Sequence, residues 1–235
     1  MPNWCHASYI FKAKSKSKKE LQRLHQAIAE TIIKPSEIEN DFEPGWLAKI
    51  AMAHGICRDN VPCRGSITEL DVAVSVGDFG DAGELCYFRI DEETAWSPAT
   101  ELWEAVVEQY DGVSFVYCAE EVGNGIFVNT DVSGLFFCER YLLEICCNST
   151  SLIPDYWPFE GRDRRPTGDE KGLIHLDIRE YFSSFEKLQE YFAKLTGKTL
   201  DNAVEMQEYL DGIVSKTDGI QNAYFSASII EFSHE

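Results

Sequence analysis

The apolar and polar positions at the start of the chain predict a strand followed directly by a helix. Trp4 to Phe11 is rich in aromatic and β-branched residues, which is typical of a strand. Ser17-Lys18-Lys19-Glu20 matches a capping box, and Leu21, Leu24, Ile28 and Ile32 follow it at helical spacing. Pro35 is expected to end this helix.

A hairpin, a second helix and a further strand are predicted next, after a short helix around Trp46 to His54. Leu70, Val72, Val74 and Val76 alternate with polar or small residues, which indicates a half-buried strand. Gly80 to Gly83 forms a turn, and Leu85 to Ile90 is the partner strand. Ser97-Pro98 marks a helix start whose apolar face contains Leu102, Val106 and Tyr110. Val113 to Ala119 is the next strand.

The predicted order is β-α-β-β-α-β, which is the order of a ferredoxin-like fold. We therefore expect an α+β protein in which two helices pack on one face of a four-stranded antiparallel sheet. Ile126 to Thr130 and Leu135 to Cys146 are expected to extend that sheet.

The domain organisation follows from the turn-forming residues. Residues 1–147 are predicted to be the ferredoxin-like core, and residues 148–172, rich in Pro and Gly, a loop-rich connection. Residues 173–235 are expected to form a C-terminal α/β extension packed on the core. Its predicted elements are a strand from Leu173 to Ile178, a helix from Ser183, a helix near Leu200 to Leu210 and a strand from Ala223 to Phe232.

The negative charge is concentrated in the middle of the chain. The formal net charge is -19, and residues 67–147 hold two basic residues against seventeen acidic ones. Such a segment repels nucleic acid, whose binding depends on Lys and Arg, and attracts basic protein surfaces. Solubility alone is an alternative explanation of the charge. The candidate partner-binding residues are Asp71, Asp78, Asp81, Glu84, Asp91, Glu92, Glu93, Glu120 and Glu121.

Cysteine use and hydropathy predict a cytoplasmic protein. The N-terminus lacks the pattern of a secretory signal, and no apolar run is long enough to cross a membrane. The eight cysteines are therefore expected to be thiols rather than disulfides.

The residues indicate no cofactor and no catalytic motif. His54, Cys57 and Cys63 have a spacing that leaves a zinc site open as an alternative, although no second paired-cysteine element completes it. The carboxylate pairs Glu92-Glu93 and Glu120-Glu121 leave open a metal-dependent hydrolase or nuclease. Aromatic residues on the predicted strands leave open an RNA- or DNA-binding sheet, which the acidic surroundings disfavour.

Two stretches resemble the YubB ferredoxin-like family of phage- and plasmid-encoded proteins. Met1-Pro2-Asn3-Trp4-Cys5 is similar to its first-strand signature, and Ala95-Trp96-Ser97-Pro98 through Glu120-Glu121-Val122-Gly123 to its Trp-x-Pro, helix, strand and acidic pattern. Ala7 stands where the family usually has Asn. The resemblance covers residues 1–147 and implies a ferredoxin-like fold and an origin in a mobile element, but no activity.

Charge, missing catalytic motifs and this resemblance together favour a non-enzymatic interaction protein in the cytoplasm of a bacterial host. Its expected partner is a basic host protein or a nucleic-acid-binding complex, with inhibition of a host defence complex by charge mimicry as one form. The partner's identity and the oligomeric state are not predicted.

Overall fold

The structure is a computed structural model that describes residues 3–33, 45–149, 167–168, 174–217 and 223–234. It divides into two compact units. The first consists of Met1–Phe137 with Ser233–Glu235, and the second of Cys138–Phe232. Both units are mixed α/β structures with antiparallel sheets. Among the described residues, no helix is long and apolar enough to span a membrane.

The first unit is built on a six-stranded sheet in which β1 is central. Its strands are β1 (Trp4–Lys14), β2 (Gly65–Leu70), β3 (Ser75–Asp78), β4 (Glu84–Ala95), β5 (Val113–Glu121) and β6 (Ile126–Asn129). The order is β2-β4-β1-β5-β6, and β3 also pairs with β4. Each of these pairings is antiparallel.

Three helices contribute to the core on one face of this sheet: α1 (Lys18–Ile33), α2 (Leu47–Ala53) and α3 (Thr100–Val107). Odd-numbered residues of β1 and even-numbered residues of β4 point into that core, because successive side chains of a strand alternate between faces. Tyr9, Phe11, Phe88 and Trp103 form its aromatic centre. The Phe11 and Phe88 rings stack 5.0 Å apart, and Trp103 meets Phe11 edge-on at 5.2 Å.

The opposite face of the first sheet, here called the outer face, is apolar at one end only. Ile10, Val116 and Phe137 form a small buried cluster there, with Tyr87 and Phe136 packed against it. The buried Asp131 carboxylate holds this segment in place, because its Oδ2 accepts the backbone N–H groups of Phe136 and Phe137 at 2.7 and 3.0 Å. Lys12 lies at this end, with its Nζ 5.8 Å from the centre of the Phe136 ring, whereas the acidic residues of the outer face lie towards its other end.

The second unit has its own sheet and core. Its strands are β7 (Tyr141–Ser149), β8 (Thr167–Gly168), β9 (Ile174–Phe182) and β10 (Ala223–Glu231), in the order β10-β7-β9-β8. Its helices are α4 (Phe185–Thr196) and α5 (Ala203–Thr217). The core is formed by Leu143, Ile145, Ile178, Leu188, Phe192, Leu195, Met206, Leu210, Ile213 and Phe225.

The domain boundary predicted at residue 147 differs from the division found at Phe137 and Cys138. The predicted strand from Leu135 to Cys146 was wrong as an extension of the first sheet. Its N-terminal part packs on the outer face, whereas β7 pairs with β9 and β10. Apolar content alone does not specify which sheet a strand joins. Most of the predicted connection 148–172 lies outside the described residues.

The strand predicted from Leu70 to Val76 was also wrong in extent. The chain leaves the ladder after Leu70 and returns at Ser75, and Val72 is 98% exposed. The Asp71 backbone N–H donates to the Arg89 carbonyl, and the Asp71 side chain accepts the Arg89 backbone N–H at 2.8 Å. The Asp71 carboxylate therefore accepts a backbone N–H that a strand carbonyl would accept in a regular ladder. As a result, Val72 and Val74 lie outside the strands.

The helix predicted to start at Ser97-Pro98 instead starts at Thr100. Its N-cap is Ala99, whose side chain makes no cap hydrogen bond. In the second unit, the N-cap of α4 is Ser184 rather than Ser183, and the Ser184 hydroxyl accepts the Lys187 N–H. The sequence therefore indicated the helices correctly but misplaced their first residues.

Burial of the thiols provides a test of the first unit's core. Cys5 and Cys86 are fully buried, and burial raises the pKa of Cys5 to about 12, so that its reactive thiolate is scarce at neutral pH. Cys57 and Cys138 are exposed. Brief treatment of the native protein with iodoacetamide, followed by peptide mass spectrometry, should label Cys57 and Cys138 well before Cys5 and Cys86. Equal labelling of all four would contradict this core.

Candidate functional site

Carboxylates from β2, β4 and β5 converge on the outer face of the first sheet. Glu69 lies opposite Asp91, and His6 lies opposite Glu93 on one side and opposite Glu120 on the other. Directly paired residues share a face, with Cβ atoms about 5 Å apart. We call Glu69, Asp91, Glu93 and Glu120 the acidic strip.

The members of the acidic strip differ in how far their charge is compensated. Asp91 is 24% exposed at its side chain and contacts the Arg89 Nε at 2.8 Å; it also accepts the Ser8 hydroxyl. Glu93 is 48% exposed at its side chain, and its Oε1 lies 3.4 Å from Nδ1 of His6. Glu69 is exposed and Glu120 half-buried. Negative charge at the strip therefore reaches solvent mainly through Glu69 and Glu93.

Glu92, the neighbour of Glu93, points to the other face and is buried. Its Oε1 accepts the Ala99 N–H at 3.0 Å, and its Oε2 accepts the Trp103 Nε1–H at 2.8 Å. The carboxylate thus caps the N-terminus of α3 from the sheet, where the helix dipole favours a negative charge. Burial nevertheless dominates and raises the pKa of Glu92 from 4.5 to about 7.

Tyr9 lies beside this buried carboxylate. Its hydroxyl interacts electrostatically with Glu92 and Thr100, and burial raises the pKa of Tyr9 well above 10.0. Among the described residues, however, the hydroxyl has no partner at hydrogen-bonding geometry. Glu92 therefore depends mainly on Ala99 and Trp103 for compensation.

Glu121 is also buried, and it organises the turn after β5. Its two oxygens accept the backbone N–H groups of Gly123 and Asn124. Gly123 lies against the Asn3 side-chain amide, which would have to shift if a Cβ were added there. The buried Glu121 carboxylate thus fixes the turn, which lies next to the start of β1.

The same end of the sheet brings together the two stretches that resemble a known family. The Trp96 N–H donates to the Asn3 carbonyl at 3.0 Å, and the Asn124 side-chain amide donates to the Trp96 carbonyl at 3.3 Å. These contacts hold Trp96 at a φ of 77°, a left-handed conformation that costs a bulky residue about 1–2 kcal/mol. Trp4 and Trp96 are 49% and 47% exposed.

The nine sequence-predicted partner-binding residues do not form one surface. Only Asp91, Glu93 and Glu120 belong to the acidic strip. Glu92 and Glu121 were wrong as partner-binding residues, because their buried carboxylates are held by backbone and indole N–H groups. Asp71 is half-buried and bonded to the Arg89 backbone.

Asp78, Asp81 and Glu84 lie in the turn region between β3 and β4, at the far end of β4 from the strip. Nine residues separate Glu84 from Glu93, which corresponds to about 30 Å along a strand. Lys14 is paired opposite Leu85, and Ser15 donates to Glu84. The hairpin acids therefore lie next to the lysine-containing end of β1.

Glu69 and Trp4 were missed by the sequence reasoning. Glu69 was overlooked because the strand was taken to begin at Leu70, whereas β2 starts at Gly65 and has an irregularity between Ile67 and Glu69. Trp4 was taken only as a strand residue, although its even number places it on the same face as His6.

The structure does not favour a metal centre at His54, Cys57 and Cys63. Both ring nitrogens of His54 have partners: Nδ1 lies 2.8 Å from the Ile50 carbonyl, and Nε2 lies 3.0 Å from the Tyr110 hydroxyl. Cys63 contacts the Arg58 carbonyl. Within the described ranges, no three His, Cys, Asp or Glu residues are grouped as a metal site requires.

Two further carboxylates, Glu144 and Asp177, line a shallow depression of about 280 Å³ on the sheet of the second unit. The Arg179 guanidinium lines the same depression, and its Nη1 lies 2.8 Å from the Glu144 Oε1. Because one of the two carboxylates is already paired with a guanidinium, this depression does not favour the hydrolase alternative.

Comparison with known proteins does not identify a family. No family model matches the chain, and no curated protein matches it closely. Among solved structures, it is similar to a crystal structure of a protein assigned as a glycine cleavage system transcriptional repressor. That match has 10% identity and a TM-score of 0.22, and it covers 97% of this chain and 98% of the other. A TM-score this low supports no conclusion about function.

The buried Glu92 predicts a specific pH dependence of stability. Because the pKa of Glu92 is raised to about 7 in the folded protein, the folded state binds more protons than the unfolded state between pH 4.5 and pH 7. Glu92 should therefore lower the free energy of unfolding progressively as pH rises through that window.

Glu92→Gln removes this titration, but the single amide oxygen of Gln can accept only one of the two N–H groups, of Ala99 or of Trp103, and the unsatisfied one costs about 1–3 kcal/mol. Chemical denaturation at pH 5 and pH 8 should show a smaller difference between the two pH values in the variant than in the unmodified protein. The same comparison with Glu101→Gln, on the exposed side of α3, should match the unmodified protein. If the free energy of unfolding changed between pH 5 and pH 8 by the same amount in Glu92→Gln as in the unmodified protein, the raised pKa would not belong to Glu92.

Proposed function

We propose that this protein is a non-enzymatic interaction protein whose acidic strip binds a basic surface on another protein. The observation that supports this proposal is the placement of Glu69, Asp91, Glu93 and Glu120 on adjacent strands of one sheet face. The strip combines exposed carboxylates with a rigid backbone, so its charges are presented without ordering a loop. Such surfaces accelerate association with a partner of opposite charge.

A ferredoxin-like fold of the first unit is part of the proposal. The strand order β2-β4-β1-β5 and the helices between β1 and β2 and between β4 and β5 agree with that arrangement. An origin in a phage or other mobile element, and action in the cytoplasm of its host, are supported by the resemblance of Met1 to Cys5 and Ala95 to Gly123 to the YubB family. Inhibition of a basic nucleic-acid-binding complex is the form of activity that this combination favours.

Local charge, rather than net charge, is what the proposal requires. At physiological salt, electrostatic interactions are screened over about 8 Å. Carboxylates that are one strand apart act together over such a distance, whereas the hairpin acids about 30 Å away do not. The same charge excludes nucleic acid from the strip, because phosphates would be repelled.

Charge reversal at three positions of the acidic strip tests this proposal. A variant with Glu69, Glu93 and Glu120 changed to Lys should bind a fluorescent peptide of alternating glycine and lysine about tenfold more weakly, because each lost surface ion pair is worth about 0.2–1 kcal/mol. Its affinity should also depend less on salt, as measured by fluorescence anisotropy over a salt series.

The matched control changes Glu101, Glu104 and Glu108 to Lys. These residues are exposed on α3 and its C-terminal cap, in the layer on the other face of the sheet, and the net charge changes by the same amount. The control should bind nearly as well as the unmodified protein. If both variants lost the same affinity for the peptide, the charge of the acidic strip would serve only solubility. Tight binding of double-stranded DNA by the unmodified protein would also contradict the proposal.

A further inference from the structure

Trp4 extends the acidic strip with an aromatic surface. It is the first residue of β1 and lies opposite Ala95, and it shares the outer face with His6 two residues later. Glu93 is two residues from Ala95 on β4, so it is a diagonal neighbour of Trp4, within about 7–8 Å. About half of the Trp4 side chain is exposed to solvent.

The backbone around Trp4 is held on its β4 side. Trp4 and Ala95 are paired in the ladder, the Ala95 N–H donates to the Arg64 carbonyl at 2.9 Å, and the Asn3 carbonyl accepts the Trp96 N–H. The strand therefore presents the Trp4 indole from a fixed backbone next to the carboxylates. A large aromatic side chain on a fixed backbone has few rotatable bonds to order when a ligand covers it.

An indole beside carboxylates matches the chemistry of one cationic side chain best. A guanidinium is planar, so it can stack on the ring while its N–H groups donate in its own plane to a carboxylate. An ammonium is also attracted to the ring face, but it has no plane to stack and is more strongly hydrated. The combination of Trp4 with Glu93 therefore favours arginine over lysine.

We infer that Trp4 is an arginine-recognition residue, which stacks on a guanidinium that the acidic strip binds, and that the partner presents arginine rather than lysine at this position. This inference rests on the proposed function, because the strip supplies the attraction and Trp4 supplies the selectivity. The two contributions can be separated by mutation.

The test compares two fluorescent peptides of equal length and charge, one of alternating glycine and arginine and one of alternating glycine and lysine. The unmodified protein should bind the arginine peptide roughly two- to fivefold more tightly, which is the range expected for an exposed cation–π contact. Trp4→Leu keeps an apolar side chain but removes the aromatic ring, and should bind both peptides equally. Trp4→Phe should retain part of the preference.

Trp96→Leu is the matched control, because Trp96 has a similar exposure but lies beyond the end of β4. It should keep the arginine preference; equal loss in Trp96→Leu and Trp4→Leu would overturn the assignment to Trp4. Thermal melting of each variant identifies any that fail to fold, and Trp4→Phe then provides the comparison.

The two proposals fail in different ways. If the lysine variant of Glu69, Glu93 and Glu120 binds both peptides as well as the unmodified protein, the acidic strip is not the binding surface, and the inference about Trp4 fails with it. If that variant binds both peptides more weakly while Trp4→Leu keeps the arginine preference, the acidic strip is the binding surface but Trp4 does not provide the selectivity.

Discussion

The pairing of β1 with both β4 and β5 is the constraint on which the first unit depends. With this pairing, the side chains of Tyr9 and Phe11 point towards the helices, and those of His6 and Ser8 lie on the outer face. A shift of one residue would exchange the two faces, burying charge and exposing the aromatic centre. The large penalty for that exchange keeps the register, and with it the acidic strip, in place.

Neighbouring carboxylates illustrate how strongly the register controls their chemistry. Glu92 and Glu93 are adjacent in the chain, yet Glu92 is 1% exposed and caps α3, whereas the Glu93 side chain is about half exposed beside His6. Glu120 and Glu121 differ in the same way, with Glu121 holding the turn that follows β5. In each pair one carboxylate is buried and accepts backbone or indole N–H groups at the cost of its desolvation, and the other lies on the outer face of the sheet.

The distribution of charge along the chain is a poor guide to its distribution in space. The turn between β3 and β4 carries three of the predicted acids, but the end of β1 brings Lys14 next to it. At the other end of the sheet, Glu69 joins acids that come from distant parts of the chain. An interaction surface of this protein therefore has to be described by its strand pairing and not by sequence intervals.

The sequence alone determined the elements that depend on local pattern. Strand-forming residues predicted β1 and β5, helical spacing predicted α1 and α3, and an apolar run predicted that β6 extends the first sheet, because these signals arise from short-range sequence features. Only the tertiary structure decided that β7 belongs to a second sheet, that Asp71 interrupts a predicted strand, and that Glu92 and Glu121 are buried. These outcomes depend on hydrogen bonds between residues far apart in the chain, such as those from Arg89 to Asp71 and from Trp103 to Glu92, which no local pattern encodes.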